Sequence, residues 1–288
     1  MVLKRMADLN RRLIVSAISV VVVAFLIICS QHAIVKWLLL FFISIFSCIG
    51  VWEYSQLAIA KGMRPSKRLM LIASAAVVFA FYASLHFVSF PQLPIFVLFV
   101  ALLAFFIKHF KQPQHSLVNI AVDFFGVAYI AVPLSLMLGV LYPVAHEGAP
   151  QEGRWWLVYL ILVTKITDMG AYFVGRLWGR HMLSQLSPKK TVEGALSGFA
   201  CAILASIAMH FLGRELSPHD FHLALSESIW LGALLGTVGQ IGDLAESLLK
   251  RDAAVKDSNH LPGLGGVLDM VDSLLFTTPI VYFFIKLH

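Results

Sequence analysis

The sequence predicts an all-α, polytopic membrane protein with about nine transmembrane helices and a cytoplasmic N-terminus. Of its 288 residues, 59% are hydrophobic and 13% are charged, whereas a soluble domain carries roughly 25% charged residues. Apolar runs of about 18 residues or more recur along the chain, and each can cross roughly 30 Å of hydrocarbon as a helix. Lys and Arg are concentrated in alternate loops, which predicts the orientation.

Nine spans follow from the apolar runs, with Pro and Gly residues in several of the turns between them. They cover residues 13–30, 34–57, 69–90, 95–107, 117–144, 155–175, 194–212, 223–249 and 267–284. The first run follows basic residues but is long and lacks a small-residue cleavage site, so we expect a retained helix and not a signal peptide. The three Cys residues lie in apolar runs, which predicts buried thiols and not disulfides.

The basic residues determine the expected orientation. The N-terminal tail and the loops at 61–68, 108–115, 176–190 and 250–256 carry seventeen of the 22 Lys and Arg. The positive-inside rule places these segments in the cytoplasm and the C-terminus on the opposite side. Topology and contacts with anionic lipids therefore account for the net charge of +6, and nucleic-acid binding is not expected.

Charged residues within spans divide the chain into two regions. Each such charge costs roughly 2.5–3.5 kcal/mol on insertion scales, so these residues indicate function. Residues 1–145 hold five spans and two acids of this kind, Glu53 and Asp123. Residues 146–288 hold four spans, with cytoplasmic loops at 176–193 and 250–267, and most of the acids within spans. The working site is expected in this second region.

The end of the eighth span predicts a cation site. Asp243, Glu246, Ser247 and Lys250 have the i, i+3, i+4, i+7 spacing of one helix face. A structural role explains the two carboxylates poorly, because the dipole at the C-terminal end of a helix opposes negative charge. The face leads directly into the loop at 250–267.

The loop and the start of the ninth span extend this site. Gly265 and Gly266 belong to a Gly-rich turn whose backbone N–H groups could approach a phosphate. Asp269 and Asp272 follow at i, i+3. Acids on two adjacent helices could form an oxygen cage for a divalent cation. A favourable interaction with the helix dipole explains Asp269 and Asp272 equally well.

A second group of polar residues lies between the sixth and seventh spans. A turn with the sequence SPKKT supplies two hydroxyls and two ammonium groups before a helix, from Ser187, Lys189, Lys190 and Thr191. These groups suit a phosphate, although a basic loop that only sets topology has the same composition. Asp168 follows Lys165 at i+3, which allows either a role in the site or a simple ion pair.

The same segments resemble a known family. The stretch SLLKRDAAVKDSNHLPGLGGVLDMVDS at 247–273, preceded by GDLAES, resembles the signature of phosphatidate cytidylyltransferases, also called CDP-diglyceride synthases. The runs DMGAYFVG and SPKKTVEG are similar to that family's AD-x-GAY-x-x-G and SP-x-KT-x-EG. The resemblance covers the chain from about Lys165 to the end. It departs from the family at Leu264 and Met270, where members usually carry His and Arg.

The resemblance implies that CTP and phosphatidate are converted to CDP-diacylglycerol and pyrophosphate at the cytoplasmic face of the cell inner (plasma) membrane. It implies Mg²⁺ as cofactor with K⁺ as a second cation, and a homodimer. The expected catalytic residues are Asp243, Asp269, Lys256 and Asp257. The expected metal ligands are Asp243, Glu246, Ser247, Asp269 and Asp272. The expected substrate-binding residues are Asp168, Ser187, Lys189, Lys190, Thr191, Lys250, Arg251, Gly265 and Gly266.

The sequence is compatible with two other classes of protein. A CTP-dependent lipid kinase of the polyprenol type has the same need for a nucleotide and a metal ion. An ion-coupled transporter would distribute its acids through the bilayer and break its helices near the midplane, whereas here the acids cluster toward one face. A CDP-alcohol phosphotransferase is disfavoured, because its DG-x-x-AR run is absent from the sequence.

Overall fold

The computed structural model describes residues 21–87, 90–110, 113–143, 153–217, 221–255 and 266–288. These residues form helices joined by turns, which confirms the all-helical prediction. After a helical segment at 21–28, we label the helices α1 (Ala33–Ala60), α2 (Lys67–His86), α3 (Leu93–His109), α4 (Ser116–Leu141), α5 (Gly153–Trp178), α6 (Val192–Leu216), α7 (Leu225–Asp252) and α8 (Val267–Leu287). Each coincides with a predicted span to within a few residues at either end.

Six of these helices are long and apolar enough to cross a membrane: α1, α2, α4, α5, α6 and α8. Helix α3 is apolar but has only 17 residues, in agreement with the short fourth span predicted. Helix α7 has 28 residues, but its stretch of Gly, Gln and acidic side chains makes it less apolar. The protein is therefore a multi-pass integral membrane protein.

Local sequence explains where α1 ends. Gly62 adopts a φ of 81°, a left-handed conformation that Gly reaches without steric cost. Its N–H donates to the Ile59 carbonyl at 2.8 Å, and the Met63 N–H donates to the Ala58 carbonyl at 3.0 Å. These two bonds form a Schellman motif, which satisfies the last carbonyls of the helix. Pro65 follows and prevents the helix from continuing.

The two ends of the helix bundle are closed by different polar contacts. At one end, Lys61 forms an ion pair with Asp252 at 2.7 Å, and the Arg64 N–H donates to Asn119. At the other end, the Tyr142 hydroxyl donates to the Ser30 carbonyl. The loop at 61–68 thus meets the start of α4 and the end of α7, which border two other loops predicted to be cytoplasmic, at a single end. We call it the basic end, and its location in the cytoplasm stays a prediction.

Small residues bring α5, α6 and α7 together. A Cβ added at Gly198 would lie 2.9 Å from the Thr167 carbonyl, and one added at Gly236 would lie 2.7 Å from the Ala202 side chain. In a membrane, such contacts replace the hydrophobic drive that water provides. Polar side chains between these helices are paired, as where the Tyr159 hydroxyl lies 2.7 Å from Ser206 Oγ. Close packing thus fixes the helices that carry the site.

Candidate active site

Three carboxylates meet near the basic end of the bundle. Asp243 and Glu246 lie one turn apart on α7, and Asp272 faces them from α8, with one oxygen of each within 4.8 Å of the others. Glu246 is 2% exposed and Asp272 7% exposed. The helices approach closely here because α7 carries Gly242, where an added Cβ would lie 2.6 Å from the Asp272 carbonyl. We call these three residues the acid cluster.

Two lysines partly neutralise these acids. Lys190 Nζ lies 2.5 Å from Asp243 Oδ2, and Lys250 Nζ lies 2.7 Å from Glu246 Oε1. Lys250 also contacts the Asp269 carboxylate. Burial favours the neutral amine, but the hydrogen bonds to Asp269 and Glu246 outweigh it and raise the pKa of Lys250 above its ordinary value. Lys250 thus joins Asp269 on α8 to the acid cluster.

Lys165 and Asp168 extend the site along α5. Their ion pair, at 3.5 Å, is long, and Lys165 also donates to the Met270 carbonyl at 3.1 Å. The Ser273 hydroxyl donates to Asp168 Oδ1 at 3.4 Å. Asp168 is thus more than the partner of Lys165, because it also connects α5 to the helix that carries Asp272.

A cleft of about 510 Å³ opens beside the acid cluster. Helices α5, α6 and α7 and the loop between α5 and α6 form its walls. The lining residues are Asp168, Ala171, Tyr172, Gly175, Arg176, Leu183, Ser187, Lys189, Lys190, Thr191, Gly194, Ala195, Gln240 and Asp243. All five predicted substrate-binding residues between Asp168 and Thr191 are therefore in this one cleft, with Asp243.

Hydrogen bonds shape the basic loop around the cleft. The Lys190 N–H donates to the Ser187 carbonyl, and the Leu183 N–H donates to the Lys190 carbonyl, both at 2.9 Å. Thr191 Oγ1 accepts from the Gly194 N–H at 3.1 Å, which is an N-cap for α6. Glu193 Oε2 accepts from the Arg180 N–H at 3.1 Å. The SPKKT turn is thus held in a fixed shape, and Thr191 has a structural role as well as a place in the cleft wall.

The remaining predicted site residues fall into two groups. Ser247 is half-buried on α7, and Arg251 donates to the Leu186 carbonyl at 3.1 Å, which ties the end of α7 to the basic loop. Gly266 is buried immediately before α8. Lys256, Asp257 and Gly265 lie outside the described residues, as does Leu264.

Sequence reasoning missed three polar residues of the cleft. Tyr172 and Arg176 follow Asp168 at i+4 and i+8 on α5, and the Arg176 guanidinium donates to the Tyr172 hydroxyl at 2.7 Å. Gln240 donates to the Gly236 and Ala195 carbonyls. The helical spacing from Asp168 could have revealed the first two, and an amide inside an apolar span could have revealed Gln240.

Comparisons with known proteins find relatives along most of the chain. The family model described as "Cytidylyltransferase family" matches residues 10–288. A phosphatidate cytidylyltransferase from Chlamydia pneumoniae is 34% identical over 289 residues, covering 96% of this chain and 92% of its own length. One from Synechocystis is 33% identical over 261 residues, covering 83% of this chain and 85% of its own. One from Staphylococcus haemolyticus is 37% identical over 173 residues, covering 59% of this chain and 61% of its own length.

Proposed function

The chain belongs to the cytidylyltransferase family, and on that basis we propose that it forms CDP-diacylglycerol and pyrophosphate from CTP and phosphatidate. The observation that carries the proposal is the junction of Lys190 with Asp243, where the basic loop meets the acid cluster across one cleft. Transfer of a nucleotidyl group needs a pocket for a polyphosphate beside ligands for a cation. The cleft and the acid cluster supply these two requirements side by side.

The donor atoms of the acid cluster fit a hard divalent cation. Asp243, Glu246 and Asp272 offer carboxylate oxygens, which Mg²⁺ prefers over nitrogen or sulfur ligands. Glu246 and Asp272 are almost fully buried, where a bound cation would relieve the repulsion between neighbouring carboxylates. We assign Mg²⁺ to the acid cluster together with Asp269 and Ser247, and K⁺ as the second cation that the family resemblance implies.

The proposed reaction is a direct displacement. An oxygen of the phosphatidate phosphate forms a bond to the α-phosphorus of CTP while the bond from that phosphorus to the β-phosphate oxygen breaks, and pyrophosphate leaves. The nucleophile is already an anion, so the protein needs no covalent intermediate. A bound Mg²⁺ would neutralise charge on the triphosphate and on the leaving pyrophosphate. Lys190, with Ser187 and Lys189, would hold the triphosphate in the cleft.

The acyl chains of phosphatidate have a suitable groove next to this site. An apolar groove of about 480 Å³ is lined by Leu and Phe side chains of α1, by α4 and α5, and by residues 22–27, and reaches Met270 on α8. The Met270 carbonyl accepts from Lys165 Nζ, so an ammonium lies where the groove approaches the acid cluster. A lipid with its chains in the groove would present its phosphate beside Lys165, with Lys250 and Arg251 nearby on α7.

The enzyme is proposed to act from the cytoplasmic side of the cell inner membrane. The acid cluster lies near the basic end of the bundle, and the loops at that end carry most of the Lys and Arg of the chain. The positive-inside rule assigns such loops to the cytoplasm, where CTP is available. A homodimer remains an expectation from the family resemblance, and chemical cross-linking in membranes would test it.

The proposal can be tested with purified protein in detergent. Labelled CTP, phosphatidate and Mg²⁺ should give CDP-diacylglycerol and pyrophosphate, and chelation of Mg²⁺ should stop the reaction. Asp243→Asn and Asp269→Asn should each abolish turnover without preventing membrane insertion. The control is Glu227→Gln, which alters a carboxylate at the opposite end of the bundle, 3.3 Å from His288, and should keep full activity.

The same assay distinguishes the kinase. Release of CDP together with a newly phosphorylated lipid would replace our proposal with a CTP-dependent kinase. Failure to form any CDP-diacylglycerol would refute the cytidylyltransferase activity itself. Near-normal turnover by either Asp variant would refute the metal assignment while leaving the reaction in place.

A further inference from the structure

Glu53 connects the first region of the chain to the active-site helix. It lies on α1, two turns before that helix ends, and is 2% exposed. Its Oε1 accepts from the Val267 N–H at 2.9 Å, and its Oε2 accepts from the Leu268 N–H at 2.8 Å. Both donors belong to the first turn of α8, so one buried carboxylate binds a helix more than 200 residues away in sequence.

The start of α8 has a particular need for such a partner. The first N–H groups of a helix have no acceptor within the helix, and a Ser, Thr, Asp or Asn at the N-cap usually supplies one. Here the N-cap is Gly266, which has no side chain. Glu53 provides both acceptors with its two oxygens, and its negative charge interacts favourably with the helix dipole.

The geometry points to a positioning role. Val267 and Leu268 immediately precede Asp269, and Asp272 follows one turn later on the same rigid helix. Two hydrogen bonds accepted by one carboxylate fix both the position of this first turn along the helix axis and its rotation. We propose that Glu53 positions Asp269 and Asp272 against the carboxylates of α7, and so tunes the affinity of the acid cluster for its cation. This inference rests on the proposed function.

A matched control separates positioning from general stability. Asp123 is a second buried carboxylate in the first region, 0% exposed. It accepts from the N–H of Ser66, the N-cap residue of α2, at 2.7 Å. Glu53→Gln and Asp123→Asn therefore make the same chemical change, a carboxylate to an amide beside a helix N-terminus. Of these two carboxylates, Glu53 is the one that accepts hydrogen bonds from the helix that carries Asp269 and Asp272.

The experiment measures thermal unfolding against Mg²⁺ concentration, and turnover of CTP and phosphatidate over the same range. In Glu53→Gln we expect the half-saturating Mg²⁺ concentration to rise about tenfold in both measurements, as for loss of a residue that orients metal ligands. Asp123→Asn keeps an oxygen that can accept from the Ser66 N–H, and it should leave the half-saturating concentration unchanged. Glu53→Asp keeps both carboxylate oxygens and should show a smaller rise in the half-saturating Mg²⁺ concentration. It replaces Glu53→Gln in the experiment if the Gln variant does not fold.

The outcomes are distinct. Positioning is overturned if Glu53→Gln has the parent's Mg²⁺ dependence, or if Asp123→Asn shifts it equally. It is also overturned if the unfolding temperature of the parent does not respond to Mg²⁺, because no cation site then exists to be positioned. A parent that binds Mg²⁺ but makes no CDP-diacylglycerol would refute the proposed function alone, and the unfolding measurements would still decide the role of Glu53.

Discussion

Replacing Asp272 with Asn should raise the stability of the metal-free protein and remove the stabilisation that Mg²⁺ confers. The three carboxylates of the acid cluster lie within 4.8 Å of one another. At an effective dielectric constant of about 20, two unit charges at that distance repel by about 3.5 kcal/mol, and Asp272 faces two such charges. Lys250 at 2.7 Å from Glu246 and Lys190 at 2.5 Å from Asp243 offset most of this repulsion, so we expect a net gain of about 1 kcal/mol.

Asn is a suitable replacement because it keeps the oxygen that accepts from the Ser273 N–H at 2.6 Å. The assay is thermal unfolding in detergent, with chelator and with increasing Mg²⁺. A gain of about 1 kcal/mol raises the unfolding temperature by roughly 2–4 °C in a protein of about 150–250 residues. In the parent, Mg²⁺ at about 100 times its dissociation constant should add about 2.7 kcal/mol, and the variant should lose most of that.

Glu227→Gln, at the opposite end of the bundle, is the control and should retain the parent's response to Mg²⁺. A variant Asp272→Asn that is less stable than the parent in chelator and still shows the full Mg²⁺ response would refute the place of Asp272 in the cation site. Asp272 would then be a structural residue of α8, and the cation would have to be sought elsewhere.

Three further predictions test other parts of the site. Lys190→Met should lower kcat/KM for CTP about 30-fold, because a hydrogen bond to a charged group is worth about 2 kcal/mol. The control Lys108→Met removes a charge outside the cleft and should leave kcat/KM unchanged. Equal effects of the two variants would refute the contact of Lys190 with the triphosphate. Ala254 has a φ of 53°, so Ala254→Gly should stabilise the protein by about 1 kcal/mol. The control Ala253→Gly, at a φ of −75°, should destabilise it. The opposite order of unfolding temperatures would refute backbone strain at Ala254. Ile161→Trp should fill the apolar groove and raise KM for long-chain but not short-chain phosphatidate, and an equal rise for both would place the acyl chains elsewhere.

The sequence predicted the helices well because hydrocarbon imposes a simple rule. A segment such as Ala33–Ala60 must satisfy its backbone internally and expose apolar side chains, and both properties can be read from composition. Helix ends were less predictable. The third span was expected to reach residue 90, yet the helix ends at His86, because apolar composition continues past the last helical hydrogen bond.

The acids of the site were predictable, but their cationic partners were not. Asp243 and Glu246 share a helix face by spacing alone, and their cost in an apolar span indicates a role. The approach of Lys190 to Asp243 depends on how α6 packs on α5 through Gly194 and Gly175, where an added Cβ would come within 3.0 Å of its neighbours. Single-sequence periodicity holds no information about such packing between segments.

Glu53 shows why the division of the chain near residue 145 does not separate support from catalysis. The sequence marks it as a costly charge in an apolar span, but no local pattern connects it to Val267 and Leu268. An isolated second region would begin α8 at Gly266 with neither a side-chain cap nor these acceptors, leaving buried N–H groups unpaired beside Asp269. The first region therefore cannot be a passive membrane anchor, since it supplies the acceptors that fix the helix on which half of the carboxylates of the proposed cation site lie.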